Sequence, residues 1–139
     1  MSQRERVVAV VVTWNRRELL AESLRAIQRQ TDPPEQTIVV DNASDDGTAE
    51  LLRRDFASLD VVSTVTNLGG AGGFAVGLDR ALRTGCDAVW LMDDDTMPEP
   101  TALAALLTAR CDYGPPVPAL VASRVVWTDG REHPMNTPR

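Results

Sequence analysis

Three consecutive aspartates, Asp93, Asp94 and Asp95, stand between an apolar run and a helical segment in VWLMDDDTMPEP. Like charges side by side oppose burial unless a cation compensates them. Residues 88–92 read as a buried strand, so the carboxylates leave a sheet at its C-terminal edge, where open α/β sheets bind ligands. If the extended backbone persists through the triplet, Asp93 and Asp95 point to one side and Asp94 to the other. A hard divalent cation takes oxygen ligands and keeps phosphate oxygens and water in its shell. The pattern predicts a hard divalent cation that holds a phosphorylated substrate.

The elements that must position this turn alternate along the chain. Residues 7–13 are an almost unbroken β-branched run, as in a strand covered on both faces. Asn15 and Glu18 have capping-box spacing ahead of a helical stripe of Leu20, Leu24 and Ile27, which Pro33 and Pro34 close. A second buried strand over 37–40 delivers Asp41 and Asn42 to its C-terminal end. Ser44 or Asp45 can cap the next helix, which carries Leu51, Leu52 and Phe56. Residues 61–65 form a short third strand, followed by a glycine-rich turn and a helix over 74–83 that presents Leu78 and Leu82 and stops at Gly85. A fourth strand over 88–92, a helix over 101–109 and a further strand over 119–126 complete the series. Such alternation predicts an α/β, three-layer domain with a mostly parallel sheet and every strand-to-helix loop on one edge. The loops 13–17, 41–46, 67–73 and 93–95 then surround one cleft.

The segments VVTWNR, TIVVDNASDDGT, NLGGAGGF and WLMDDDT occur in the order and spacing of the GT-A glycosyltransferases of family 2. Over residues 7–98 the chain most resembles the galactofuranosyltransferase branch, with rhamnosyltransferases similar in the asparagine-glycine region. The resemblance implies a GT-A (Rossmann-like) domain, truncated, with 1–126 as the nucleotide-sugar-binding portion. Residues 127–139 are then a polar extension or the start of an acceptor half. It also implies that Thr13 and Asn15 of the first loop, together with Asp41, hold base and ribose. Asp41 would accept a hydrogen bond from uracil N3–H, rejecting a ring that lacks the donor. Asn42 either joins them or serves the turn. One guanidinium of Arg16 and Arg17, taken as Arg17, would meet the diphosphate. Asn67, Gly70 and Gly72 would let the backbone approach the diphosphate and donor sugar, unless they only build a tight turn. Asp94 is left for ribose or sugar hydroxyls, and Arg80 reads as a surface residue. Trp14 either lines the pocket or packs beneath the first loop.

The implied reaction is an inverting transfer from a nucleotide sugar, UDP-galactofuranose by the best match, to a glycan or polyprenyl-linked glycolipid used in cell-wall biosynthesis. A TDP-rhamnose-dependent rhamnosyltransferase and a catalytically incomplete nucleotide-sugar-binding module are the alternatives. The resemblance makes Asp93 and Asp95 the metal-facing pair, on which Mn²⁺ or Mg²⁺ would stabilise the departing diphosphate. Glu99 reads as a helix-start residue rather than a base, and His133 falls far short of the family's later histidine. The general base is therefore expected beyond Arg139. Nucleotidyl transfer would bring an early glycine-rich loop with a basic residue, which VVTWNRRE lacks. GK[ST] and GxGxxG are also absent.

With 139 residues, 43% hydrophobic and 24% charged, the chain has the size and composition of one globular domain. A net charge of −6 without a basic tract excludes a nucleic-acid backbone as partner. Cys86 and Cys111 form no CxxC and fit a reducing compartment. The apolar N-terminal run is too short for a signal or a membrane span. These features predict a cytoplasmic protein, with peripheral attachment at the inner face of the membrane open to the parent enzyme.

Overall fold

The β-branched run at the N-terminus becomes the hydrophobic centre: β1 (Val7–Thr13) is buried along its whole length. A computed structural model describes residues 4–132. After β1 come α1 (Arg17–Gln28), β2 (Gln36–Asp41), α2 (Thr48–Asp55), β3 (Asp60–Ser63), α3 (Gly69–Leu82), β4 (Ala88–Asp93) and α4 (Ala102–Asp112). The strands form one parallel sheet in the order β3-β2-β1-β4.

Alternation along β1 divides the core into two layers. Ala9 and Val11, with Val39 and Met92, meet Leu20, Leu24 and Ile27 of α1 and Leu51 and Leu52 of α2. Val8, Val10 and Val12, with Ile38 and Val40, face α3 through Ala81 and the partly buried Phe74 and Val76. The three-layer α/β expectation holds. Gln30 ties the end of α1 to the start of α4, its Nε2 donating to the Glu99 carbonyl at 2.7 Å and its Oε1 accepting from the Leu103 amide at 3.0 Å.

Several local expectations need correction. The glycine-rich segment is not a turn ahead of a helix at 74; it is the first part of α3. Gly73, Gly77 and Ala81 recur every four residues and form the buried face, whereas Leu82 is 66% exposed. A Cβ on Gly77 would lie 2.3 Å from Val10 Cγ1, and one on Gly73 would lie 2.5 Å from Val12 Cγ1. Helix propensity disfavours these glycines, but the close seat of α3 on the sheet requires them. Gly85, at φ 71°, does end the helix region, donating to the Leu82 carbonyl at 3.1 Å.

β3 begins one residue earlier than expected and ends at Ser63. The further strand over 119–126 does not form. Val126 makes an isolated antiparallel bridge to Glu132, and Leu120 is 92% exposed. A β-branched run becomes a strand only when a neighbouring backbone completes its ladder, and among the described residues the sheet stops at β4. Of the extension expected over 127–139, residues 133–139, including His133, lie outside the described residues. No helix among the described residues is long and apolar enough to cross a membrane.

Candidate functional site

Parallel pairing aligns the strand ends. Thr13 lies opposite Asp41, Asp41 opposite Ser63, and Val12 opposite Asp93. Residues from β1, β2 and β4 therefore share the C-terminal edge where the strand order reverses, β2 and β3 lying on one side of β1 and β4 on the other. That change of direction opens a crevice in doubly wound sheets.

The aspartate triplet divides by burial. Asp94 is 4% exposed, while Asp93 and Asp95 reach solvent. β4 ends at Asp93, and the Thr96 amide donates to the Asp93 carbonyl at 3.2 Å, so the triplet enters a turn instead of continuing extended. Asp94 is held inward by the Thr13 hydroxyl, which donates to Oδ2 at 2.8 Å. Arg16 Nη1 reaches Asp94 Oδ1 at 3.4 Å and Asp95 Oδ2 at 2.8 Å. The Asp93 carboxyl is held above the usual carboxylate range by partial desolvation first, then by the neighbouring charges of Asp95 and Asp94, with Arg16 opposing.

These groups fit a hard divalent cation. Asp93 and Asp95 offer only oxygen donors, and their mutual repulsion would be relieved by positive charge. Among the described residues no group of three or more His, Cys, Asp or Glu is arranged to hold a metal. Two carboxylates leave most of a coordination shell to water and phosphate oxygens, as Mg²⁺ and Mn²⁺ commonly require in nucleotide sites.

The first two loops are clasped together. Asn15, at φ 52°, donates through Nδ2 to Asp45 Oδ1 at 2.8 Å and accepts the Asp45 amide at 2.9 Å. Its own amide donates to Ser44 Oγ at 3.0 Å. The capping-box reading of Asn15 and Glu18 is thereby corrected: α1 starts after Arg16 with no side-chain cap bond within the helix. Asp46 does the capping for both helices. Its Oδ2 accepts the Arg17 amide at 3.0 Å, and its Oδ1 accepts the Thr48 amide at 3.1 Å and hydroxyl at 2.6 Å. Burial would raise the Asp46 carboxyl, but these donors outweigh it and hold the group below its usual range. The expectation that Ser44 or Asp45 caps α2 missed this residue, although Asp46 two positions before Thr48 was a readable signal.

Asp41 is 3% exposed, and its Oδ1 accepts the Ser44 amide at 3.0 Å. Asn42 is 2% exposed, and both ends of its side-chain amide hold the next loop. Its Nδ2 donates to the Gly69 carbonyl at 3.0 Å, while its Oδ1 accepts the Leu68 amide at 3.0 Å and the Thr64 hydroxyl at 3.1 Å. Asn67 accepts the Gly69 amide at 2.8 Å, shaping the entry to α3. Gly70 stands open, with nothing within 4 Å of a Cβ built on it, whereas a Cβ on Gly72 would meet Leu68 Cβ at 2.6 Å.

Arg17 is not brought to the acidic turn. Its guanidinium donates to Glu18 at 2.8 Å and to the Asp46 carbonyl at 3.1 Å, and Arg16 takes the place beside the carboxylates. Arg80 pairs with Asp60 at 2.8 Å, away from the glycines. Trp14 is 52% exposed. Two cavities, about 290 Å³ beside Val7, Pro34 and Leu107 and about 270 Å³ between α1 and α2, lie elsewhere. The candidate site is an open edge of the sheet.

Comparison with known proteins matches this geometry to a family. Residues 8–137 match the family model described as glycosyl transferase family 2. A galactofuranosyltransferase of Mycolicibacterium smegmatis is 47% identical over 109 residues, covering 78% of this chain and 36% of that protein. A solved structure of a mannosyltransferase from Pyrobaculum calidifontis in complex with GDP-Man and Mn²⁺ superimposes with a TM-score of 0.58 at 31% identity, covering 70% of this chain and 29% of that one. S. aureus TarS in complex with UDP superimposes with a TM-score of 0.63 at 25% identity, covering 78% of this chain and 32% of that one. The chain spans about a third of the length of the galactofuranosyltransferases it matches. Its parallel sheet, its order of loops and its match over most of its length agree, and the chain belongs to glycosyl transferase family 2, with the GT-A fold.

Proposed function

We propose that this domain binds the nucleotide-sugar donor, UDP-galactofuranose, of a metal-dependent inverting glycosyltransferase whose acceptor is a glycan or polyprenyl-linked glycolipid. The observation that carries the reading is the division of the triplet. Thr13 holds the buried Asp94 inward and Arg16 bridges Asp94 and Asp95, while the carboxylates of Asp93 and Asp95 stay exposed at the sheet edge. In this reading Asp93 and Asp95 hold Mn²⁺ or Mg²⁺, which supplies charge neutralisation to the diphosphate as it departs. Asp41 recognises the uracil edge, Thr13 and Asn15 border the base and ribose, and Asp94 orients a hydroxyl of the donor. Asn42 acts through the loop it holds, setting the position of Gly70 and Gly72 beside the diphosphate.

Support for the galactofuranosyl donor comes from the 47% identity to the mycolicibacterial galactofuranosyltransferase. Support for the metal comes from the exposed, mutually repelling carboxylates of Asp93 and Asp95 and from the Mn²⁺ named with the archaeal mannosyltransferase. The test is calorimetric titration of the 139-residue chain with UDP, TDP and GDP, with and without Mn²⁺. UDP should bind most tightly, and Mn²⁺ should strengthen it. The double variant Asp93→Ala, Asp95→Ala should lose one to two decades of the metal-dependent gain, on the order of 1.5–3 kcal/mol for charge-assisted contacts. Equal UDP affinity with and without Mn²⁺ would refute the metal role. Preference for TDP would move the donor to a rhamnosyl nucleotide.

A further inference from the structure

The acidic turn requires positive charge, and one cation of the chain already stands there. Arg16 Nη1 donates to Asp95 at 2.8 Å and approaches Asp94 at 3.4 Å, with the Arg16 side chain 51% exposed and that of Asp95 48% exposed. Its main chain is fixed independently of that contact, because Arg16 is the N-cap of α1 and its carbonyl accepts the Leu20 amide at 2.9 Å. The guanidinium can therefore leave without disturbing the helix. Arg17 next to it is differently placed, held to Glu18 and to the Asp46 carbonyl.

We propose that Arg16 is an exchangeable counter-cation. It neutralises Asp95 in the unliganded domain, gives up that carboxylate when a divalent cation binds, and transfers to the diphosphate that arrives with the metal. The inference rests on the donor-site reading above and adds the exchange to it. An ion pair this exposed is weak, so a divalent cation can displace it. Once the metal neutralises Asp95, the fork of guanidinium donors finds its best remaining acceptors in phosphate oxygens. Binding of metal and nucleotide then becomes coupled through one side chain, because each favours the same position of Arg16.

The test combines two ligands with three substitutions in the 139-residue chain. Mn²⁺ binding without nucleotide is followed by the loss of the free-ion electron paramagnetic resonance signal. UDP binding is followed by calorimetry in the presence and absence of Mn²⁺. Arg16→Gln should bind Mn²⁺ roughly fivefold more tightly than the parent, the scale of releasing one exposed ion pair. The same variant should lose roughly tenfold in UDP affinity when Mn²⁺ is present, as one charge-assisted phosphate contact disappears, and should lose little when Mn²⁺ is absent. Arg16→Lys should fall between the two on both measures, since it keeps the charge without the fork. Arg17→Gln removes the same charge one residue away and should leave Mn²⁺ affinity unchanged.

Equal Mn²⁺ tightening by Arg17→Gln and Arg16→Gln would overturn the exchange, because net charge alone would then explain it. Loss of UDP affinity in Arg16→Gln to the same degree with and without Mn²⁺ would also overturn it, while leaving donor binding intact. Failure of Mn²⁺ to bind the parent and every variant, with or without UDP, would remove both the metal reading and the exchange.

Discussion

The seat of α3 on the sheet yields a paired prediction of opposite signs. Alanine is the better helix former by about 1 kcal/mol, so Gly→Ala in a helix is ordinarily stabilising. At Gly77 the added Cβ would lie 2.3 Å from Val10 Cγ1 and 3.2 Å from Val40 Cγ2. The first contact is roughly 1.2 Å short of the separation at which carbon atoms rest. Val10 and Val40 are wholly buried in adjacent central strands and have no open space to enter. The helix must lift, loosening Ala81 and Phe74 against the sheet, and such overpacking costs typically about 1–3 kcal/mol. We therefore expect Gly77→Ala to be net destabilised by about 1–2 kcal/mol, lowering the melting midpoint by about 3–10 °C in a chain of this size. Gly70→Ala meets nothing within 4 Å and should leave stability equal or slightly raised. If Gly70 lies beside the diphosphate, the same variant should weaken UDP binding. Differential scanning calorimetry and UDP titration on both variants separate the two effects. A melting midpoint for Gly77→Ala at or above that of the parent would refute the packing argument.

Two further perturbations probe the loops. Thr13→Val removes the hydroxyl that donates to buried Asp94 and should cost about 2 kcal/mol in urea denaturation; an unchanged midpoint would mean that the bond contributes nothing. Asp46 has a folded-state value below its unfolded one, so its contribution is present at neutral pH and is lost as pH falls through the folded value. Asp46→Asn should be less stable than the parent by about 1 kcal/mol at pH 7, and the gap should narrow below about pH 4; a gap constant across that range would refute it.

The architecture was legible because burial and period agree in the strands. The β-branched run of β1 belongs to a strand covered on both faces, and the alternation of apolar runs with helical stripes implied the parallel sheet. The run over 88–92 did become a strand, but not a buried one: β4 lies at the sheet edge, with Met92 buried and Leu91 43% exposed, because no further strand covers its outer side among the described residues. The helix over the glycines was not legible in the same way. Local propensity argues against a helix through Gly69, Gly70, Gly72 and Gly73, and the reason for glycine at Gly73 and Gly77 lies in Val12, Val10 and Val40 of the sheet, far away in sequence. The strand over 119–126 failed in the opposite sense, because its composition favours extended backbone but no described neighbour completes a ladder. Around the site, residue type identified the acidic turn, while partners across loops determined what Asn15, Asn42 and Asp46 do. Asn15 and Asn42 spend their side-chain bonds on loops distant in sequence, and no spacing rule within one segment contains that information.

The glycine face of α3 also determines where the domain can be soft. A helix that docks through Gly73, Gly77 and Ala81 has no long side chains at its central contact to change rotamer, so it has few intermediate ways of sitting on the sheet. Its shaft behaves as a stiff lever. At its tip, beyond the tethered Gly69, Gly70 stands in open space, so the backbone there can turn with little steric resistance. Compliance is thus confined to a short tip, with Asn42 gripping the chain just behind it at Leu68 and Gly69. Slow hydrogen exchange along the shaft beside fast exchange at Gly70 is the expected signature, and a ligand at the sheet edge would quiet the tip without moving the helix.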